Sequence, residues 1–197
     1  MNLSLNCIFN RLAEHTPDIL PSENIITAAV ALILRTTELG QEGLFIERAT
    51  REGDPWSGNI GFPGGRIEPH DNSLMATAER ETYEEVGLNL SEARYLARLS
   101  DIDGAHLKVR IACFVYHIAD APPLVLSDEV TDAFWVPIAE LTLPQRQITA
   151  KLRFSDRSIT TPAILLPQQD KPLLWGMTYR LVQEFIGIIE HGNGAES

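Results

Sequence analysis

Residues 64–88, GGRIEPHDNSLMATAERETYEEVGL, concentrate six carboxylates and two arginines in one stretch of the chain. Asn72 or Ser73 can cap the start of a helix, because their side chains accept hydrogen bonds from the first turn. Met75 and the alanines that follow favour helix, and Gly87 stands where a helix stop is expected. The sequence therefore predicts one helix over residues 72–86, with the rest of the chain as scaffold and substrate pocket around it.

Three glutamates share one face of this predicted helix. Glu81 and Glu85 lie about 40° apart on the helical wheel, and Glu84 lies about 60° to the other side of Glu81. Like charges at this spacing cost a few tenths of a kcal/mol per pair, so a bound cation is the simplest compensation. Hard oxygen ligands that leave room for water and phosphate favour Mg²⁺, or Mn²⁺ in its place. A solvated acidic helix face is the alternative interpretation.

The spacing of these residues resembles the Nudix box, which runs Gly, five residues, Glu, seven residues, Arg-Glu-apolar, any, Glu-Glu, any, Gly-apolar. The residues at matching positions are Gly65, Arg80, Glu81, Glu84, Glu85, Gly87 and Leu88. Asp71 replaces the first Glu, with eight residues rather than seven between it and Arg80, and Thr82 takes a position that is usually apolar. The extra residue, the Asp and the preceding Phe-Pro-Gly-Gly resemble the coenzyme A diphosphatase branch of the family.

The resemblance implies the Nudix fold, an α/β arrangement with a mixed β-sheet sandwiched between helices, over residues 25–190. An accessory N-terminal helix in residues 1–24 and a flexible tail in 191–197 would flank it. The implied activity is Mg²⁺-dependent (or Mn²⁺-dependent) hydrolysis of a nucleoside diphosphate linked to another group. Coenzyme A or an acyl derivative is the leading substrate, and ADP-ribose or a nucleotide sugar is the alternative. A ligand-sensing Nudix domain without hydrolysis is the alternative of another class.

The resemblance also assigns roles to residues of this chain. The implied metal ligands are the Gly65 carbonyl and Glu81, Glu84 and Glu85, with Arg80 orienting the glutamates and Asp71 organising the metal shell from farther away. Glu84 or Glu85 is the expected general base, and Glu129, ahead of a Trp-Val-Pro strand, is the second candidate. The expected substrate contacts are Arg48, Trp56, Ser57, Phe62 and Arg66, with arginines for phosphate and the tryptophan for a flat ring. A plug over the core edge is the alternative role for Trp56.

One segment departs from the coenzyme A branch. That branch usually carries a Leu-Arg-any-His element followed by Gly-Gln before Phe-Pro-Gly-Gly, whereas residues 51–59 read REGDPWSGN and keep only Gly58. The sequence Trp-Gly-Met-Thr at 175–178 again resembles the branch, where it opens the last helix. The resemblance therefore places the chain beside this branch without establishing its substrate.

Composition narrows the class of partner. The chain has 197 residues and a formal net charge of −11, which argues against a general nucleic-acid or membrane-surface binder. An anionic nucleotide must then be recruited locally, by metal and a few arginines. Cys7 and Cys113 are too few for a disulfide framework or a zinc site. Neither a membrane span nor a signal peptide is indicated, so we expect a cytoplasmic monomer or homodimer.

The apolar pattern predicts the remaining elements. A short amphipathic helix is expected at 5–12 and a last helix at 174–189. Strands are expected at 26–34, buried on both faces, and at 43–47, 93–99, 109–118 and 133–138. Residues 141–167 are interpreted as a hairpin or extended excursion that closes the substrate side. His106 and His117 are interpreted as structural rather than catalytic.

Overall fold

The structure is a computed structural model that describes residues 4–21, 26–38, 40–52, 56–104, 108–154 and 157–191. The helices are α1 (Leu5–Glu14), α2 (Leu74–Val86), α3 (Ile138–Leu141) and α4 (Gly176–His191). The strands are β1 (Ile26–Thr37), β2 (Gly40–Arg48), β3 (Ile60–Gly61), β4 (Gly64–Arg66), β5 (Arg94–Arg98), β6 (Ile102–Asp103), β7 (Val109–Ile118), β8 (Val130–Pro137), β9 (Gln147–Phe154), β10 (Arg157–Ile164) and β11 (Leu174–Trp175). His106 and the tail beyond residue 191 lie outside the described residues. Among the described residues, no helix has the length and apolar character needed to cross a membrane.

The long strand β1 organises a mixed eight-stranded sheet. Its order is β3-β2-β1-β7-β5, with β4 also on β1, β6 on β7 and β8 on β2. The β1 and β7 strands run parallel, from Ile26 opposite Val109 to Arg35 opposite Ile118, and the other pairs are antiparallel. The predicted mixed sheet between helices is confirmed. Strand β1 continues to Thr37 and β2 begins at Gly40, so both strands are longer than the predicted 26–34 and 43–47.

Alternation along β1 builds a core on each face of the sheet, as its apolar run predicts. Ala29, Ala31 and Ile33 are buried with Ala78 and Val86 of α2. The other face of β1 is buried with α4 and α1, through Leu32, Leu34, Leu181, Phe185, Ile8 and Leu12. The N-terminal helix therefore packs into one of the two cores. Its assignment as an accessory element beside a domain of 25–190 stays a prediction.

Helix α2 begins and ends at identifiable caps. Ser73 Oγ accepts a hydrogen bond from the Ala76 N–H at 3.1 Å, so the helix starts at Leu74. Gly87 takes the left-handed conformation (φ 70°) that ends it. Thr82 is fully buried, and its hydroxyl donates to the Ala78 carbonyl at 2.7 Å. This bond satisfies the hydroxyl within the helix, so a threonine can occupy the position where the box is usually apolar.

Gly64 permits strand β4 to lie against β1. A Cβ at this position would lie 2.3 Å from the Ala29 carbonyl oxygen and 2.5 Å from the Val30 Cα, and its φ is 151°. Both conditions exclude a side chain. The pairing brings the Gly64–Gly65 backbone beside the C-terminal half of α2, and thereby decides where the box carboxylates meet the rest of the chain.

The second sheet is the hairpin β9–β10 with the short strand β11. The interpretation of 141–167 as a hairpin is thus confirmed, and α4 begins immediately after β11, close to the predicted residue 174. The two-residue strands β3 and β6 lie outside the strands that the sequence predicts. They pair with β2 and β7 and fix the ends of those loops to the main sheet.

Asp101 connects the segment after α1 to the sheet. Its side chain is completely buried and accepts hydrogen bonds from Arg98 Nη2 at 2.6 Å, Arg110 Nε at 2.7 Å and the Leu20 N–H at 3.0 Å. A buried carboxylate with two guanidinium partners becomes a liability when its charge is removed, because the partners remain desolvated.

We predict that Asp101→Asn lowers the free energy of unfolding by about 3 kcal/mol, as loss of a buried ion pair does. The matched control is Asp103→Asn, whose ion pair with Arg180 is exposed on both sides. That change should cost less than about 1 kcal/mol. Urea unfolding of both variants measures the difference, and equal losses would contradict the buried network.

Candidate active site

A cavity of about 910 Å³ opens beside the Gly64–Gly65 turn. Its walls come from β1, β4 and β7, the loop after β2, the C-terminal half of α2 and the start of α4. Glu81, Glu85 and Glu129 line it, together with several cations and aromatic rings. No residue of the β9–β10 hairpin is among the lining residues described, so the expectation that 141–167 closes the substrate side finds no support here.

The two glycines admit carboxylates from α2 to the cavity. A Cβ on Gly65 would lie 2.3 Å from Glu81 Oε1 and 2.4 Å from its Cδ, so only glycine leaves this carboxylate its place. The Gly64 N–H donates to Glu85 Oε2 at 2.9 Å. The Gly64–Gly65 backbone therefore lies close to two of the protein's own glutamates.

Arg80 is the centre of a network of carboxylates. Its Nη1 lies 3.0 Å from Glu81 Oε1 and 2.8 Å from Glu84 Oε2. Its Nε and Nη2 donate to the two oxygens of Asp71 at 2.9 and 3.0 Å, and the Thr77 hydroxyl also donates to Asp71. The guanidinium holds the pKa of the Asp71 carboxyl well below its usual range. Asp71 thus fixes Arg80, which in turn orients the glutamates.

The buried glutamates are electrostatically unfavourable as they stand. Burial raises the pKa of Glu85 to about 7; the Gly64 N–H and Arg48 oppose the shift, and the charges of Glu81 and Glu129 add to it. Burial is also the largest cause of the raised pKa of Glu81, against the opposing effect of Arg80. Negative charge at this place is therefore only partly compensated by the protein itself.

This donor set fits a hard divalent cation, with one qualification. Glu81 and Glu85 present oxygen ligands to the cavity, whereas the Glu84 side chain is 55% exposed and turned to Arg80. Within the described ranges, no group of three or more His, Cys, Asp or Glu side chains is already arranged to hold a metal ion. The structure thus brings together two of the three predicted glutamates, and Glu84 would join them only by turning away from Arg80.

Arginines of the loop after β2 contact the acids of the site. Arg48 Nη1 lies 3.6 Å from Glu85 Oε1, and Arg51 Nη1 lies 3.0 Å from Glu129 Oε1. Glu129, the second candidate base, thus faces the cavity from the loop before β8, paired with Arg51. Ser57 Oγ accepts from the Arg51 N–H and donates to the Arg51 carbonyl. Ser57 is not among the lining residues and closes this loop instead of facing the substrate.

The remaining predicted contacts divide into two kinds. Trp56 and Arg66 line the cavity. Phe62 also touches it, but is only 4% exposed and packs on Phe45 with ring centroids 5.0 Å apart, so most of the ring belongs to the core. His117 bonds to Thr36 and packs on the Phe9 ring, which agrees with a structural role.

Sequence reasoning missed several lining residues. Met177 and Thr178 line the cavity from the start of α4. Lys108, the residue immediately before β7, lines it as well. The Trp-Gly-Met-Thr pattern was a signal for the first two. Nothing local marks Lys108, because its place follows from the parallel pairing of β1 with β7.

Comparison with known proteins gives a consistent result. The NUDIX domain model matches residues 26–157. An uncharacterized protein of Schizosaccharomyces pombe is 31% identical over 160 residues, which cover 69% of this chain and 49% of that protein. The mitochondrial coenzyme A diphosphatase of Homo sapiens is 30% identical over 146 residues, which cover 72% of this chain and 60% of that protein. This chain spans about half the length of curated relatives that it matches.

A solved structure agrees with the architecture. The MutT/nudix family protein from Enterococcus faecalis aligns with a TM-score of 0.57 and 18% identity, over 95% of this chain and 70% of that chain. At this identity the likeness shows the fold alone. Because the family model covers most of the chain, the chain belongs to the Nudix family.

Proposed function

We propose that this chain hydrolyses a nucleoside diphosphate linked to another group, with coenzyme A or an acyl-coenzyme A as its substrate. The observation that carries the proposal is the placement of Glu81 and Glu85 against the Gly64–Gly65 backbone, at the wall of a cavity that also holds cations. Membership of the Nudix family supports the reaction type. The similarity to a human coenzyme A diphosphatase supports the choice of substrate.

The residues that would hold Mg²⁺ or Mn²⁺ are Glu81, Glu84, Glu85 and the Gly65 carbonyl. When bound, the ion neutralises diphosphate charge and lowers the pKa of a water molecule. Asp71 and Arg80 hold the glutamates in place, since Arg80 contacts both Glu81 and Glu84. This network fixes Glu81 before any ligand arrives, whereas Glu84 would bind the ion only after leaving Arg80.

Glu85 is the favoured proton acceptor among the box glutamates. It lines the cavity, whereas Glu84 is turned to Arg80 and solvent. Glu129 remains the second candidate, because it faces the cavity from the opposite loop and its partner Arg51 is itself half exposed. A general base must lie within reach of the proton that it removes, and both residues line the cavity in which the substrate would bind.

Cations and rings of the cavity would bind the rest of the substrate. Arg48, Arg66 and Trp56 line the cavity. The arginines would contact phosphate oxygens, and the tryptophan would stack on a flat ring. The alternative substrate, ADP-ribose or a nucleotide sugar, is kept because residues 51–59 depart from the pattern of the coenzyme A branch. These compounds share the diphosphate and differ in the groups on either side of it.

We predict that loss of the Glu85 carboxylate lowers kcat more than loss of the Glu84 carboxylate. Glu85→Gln should lower kcat at least about a hundredfold with Mg²⁺, because it removes a group at the cavity wall. Glu84→Gln should lower kcat less, because its side chain is held outside the cavity. Steady-state hydrolysis of coenzyme A by each variant measures the order.

The matched control is Glu92→Gln, which makes the same chemical change at an exposed residue four positions after the box and outside the cavity. It should hydrolyse coenzyme A at the wild-type rate. Thermal melts establish that all three variants are folded. Wild-type turnover in both Glu84→Gln and Glu85→Gln would remove the proposed activity.

We also predict the products. Among coenzyme A, acyl-coenzyme A, ADP-ribose, nucleotide sugars and dinucleoside polyphosphates, coenzyme A compounds should be cleaved with the highest kcat/KM. Mass spectrometry should identify adenosine 3′,5′-bisphosphate as the released nucleotide. Preferred cleavage of ADP-ribose would favour the alternative substrate, and tight binding without cleavage of any compound would favour a ligand-sensing domain.

A further inference from the structure

Hydrogen bonds within the loop between β2 and β3 fix the backbone of Arg51. The Ser57 hydroxyl accepts from the Arg51 N–H at 2.9 Å and donates to the Arg51 carbonyl at 2.7 Å. At the base of the loop, the Gly58 N–H donates to the Arg48 carbonyl and the Arg48 N–H donates to the Asn59 carbonyl, each at 3.1 Å. The Arg51 side chain is therefore presented to the cavity from a closed loop, although it is itself 48% exposed.

The turn that carries Glu129 is also fixed through its backbone. The Glu129 carbonyl accepts from the Ala49 N–H at 2.8 Å, next to the end of β2. The Ser127 N–H donates to the Glu85 carbonyl at 3.0 Å, and the Ser127 hydroxyl accepts from the Glu129 N–H at 3.3 Å. The turn is thus tied to α2 on one side and to the Arg51 loop on the other, so the two side chains face each other from fixed backbones.

The ion pair between these two side chains lies in water. Arg51 Nη1 donates to Glu129 Oε1 at 3.0 Å, and Arg51 Nη2 lies 3.5 Å from Asp128 Oδ2. The Glu129 side chain is 46% exposed and that of Asp128 is 92% exposed. An exposed pair of this kind changes an equilibrium by about fivefold at most, because water competes for both groups. An anion that enters the cavity can therefore take the guanidinium from Glu129 at little cost.

Two other arginines of the site would lose more by changing partner. Arg80 binds both oxygens of the buried Asp71. Arg48 Nη1 lies 3.6 Å from an oxygen of the buried Glu85. Removing a cation from a buried carboxylate leaves that charge desolvated and uncompensated, whereas the carboxylates beside Arg51 would be solvated by water. Among these three arginines, Arg51 can move from carboxylate to phosphate with the smallest loss.

The partners of Arg51 also face the right place. Arg51, Glu129, Glu81 and Glu85 all line the same cavity. The overall charge of −11 opposes an anionic ligand, so a cation that can turn to phosphate is a local source of attraction. While Arg51 binds Glu129, one carboxylate oxygen is occupied by the guanidinium. Once Arg51 leaves, that oxygen is available at the cavity wall.

We propose that Arg51 changes partner when substrate binds: its guanidinium leaves Glu129 and binds an oxygen of the diphosphate, which releases the Glu129 carboxylate to the cavity. Arg51 is then a phosphate-binding residue that couples the arrival of substrate to the availability of Glu129. The inference rests on the proposed function for its reaction, but the exchange itself is a statement about binding. Because Glu129 competes with phosphate for Arg51, removing the charge of Glu129 tightens the binding of a diphosphate.

The kinetic test separates phosphate binding from support of Glu129. In hydrolysis of coenzyme A, Arg51→Ala should raise KM about tenfold, because a charge-assisted hydrogen bond to phosphate is lost. Arg51→Lys should recover most of that loss, since an ammonium group can make the same exchange. Arg153→Ala, at an exposed arginine of β9 outside the cavity, is the matched control and should keep the wild-type KM. A lower kcat at unchanged KM in Arg51→Ala would mean that the guanidinium only supports Glu129, which overturns the exchange.

The binding test is a double-mutant cycle that needs no turnover. In calorimetric titration with ADP and Mg²⁺, Glu129→Gln should bind about threefold to fivefold more tightly than the wild-type protein, and Arg51→Ala about tenfold more weakly. Adding Glu129→Gln to Arg51→Ala should give no further tightening, because no guanidinium is left to release. Glu92→Gln, at an exposed carboxylate outside the cavity, should keep the wild-type affinity.

The cycle distinguishes exchange from simple repulsion between Glu129 and the ligand. Repulsion alone would make Glu129→Gln tighten ADP binding equally with and without Arg51, and that result overturns the inference. Unchanged or weaker binding by Glu129→Gln, or failure of wild-type protein to bind ADP, overturns it as well. If coenzyme A is not cleaved, the proposed function fails while this titration still decides the exchange. Thermal melts of all variants establish that each is folded.

Discussion

The close approach of α2 to the two glycines of strand β4 is the constraint on which this structure depends. Gly64 allows β4 to pair with β1, since a Cβ there would collide with the Ala29 carbonyl. Gly65 leaves space for the Glu81 carboxylate, and the Gly64 N–H binds Glu85. Two acids from a helix are thereby held at a cavity wall in a chain whose net charge is already strongly negative.

Holding these acids together has an electrostatic cost that the protein only partly offsets. Asp71 binds Arg80 through both of its oxygens, and Arg80 contacts Glu81 and Glu84, so one guanidinium serves three carboxylates. The buried Glu85 accepts a hydrogen bond from the Gly64 N–H, and Arg48 Nη1 lies 3.6 Å from its other oxygen. The remaining unfavourable energy is what a cation would relieve, and this connects the packing of two glycines to the proposed chemistry.

Local patterns predicted the elements well because the relevant forces are local. The caps of α2, the burial of β1 on both faces and the full extent of β7 follow from side-chain chemistry and period. The two-residue strands β3 and β6 could not be predicted, because their pairing is decided by distant partners. The spacing of the box predicted the family, since it samples several positions at once.

Side-chain direction was harder to predict than position on the helix. The helical wheel places Glu81, Glu84 and Glu85 on one face, but it contains no information on which of them Arg80 attracts out of the cavity. Ser57 was likewise expected to contact the substrate, yet its hydroxyl forms hydrogen bonds with the N–H and carbonyl of Arg51. Lys108 was not predicted, because its neighbour Ile26 is distant in sequence and is brought near by the pairing of β1 with β7.

The central claim is that Gly65 leaves the Glu81 carboxylate in position to bind a cation. Its most direct test is the Mn²⁺ affinity of Gly65→Ala, measured by electron paramagnetic resonance. Unlike Gly64, Gly65 has no left-handed φ, so alanine acts there through its Cβ, which would meet the Glu81 carboxylate. Gly187→Ala, where a Cβ meets nothing within 4 Å, is the control. The account predicts that wild-type protein and Gly187→Ala bind Mn²⁺ and that folded Gly65→Ala binds it at least about tenfold more weakly. Equal Mn²⁺ affinity in all three proteins would contradict it.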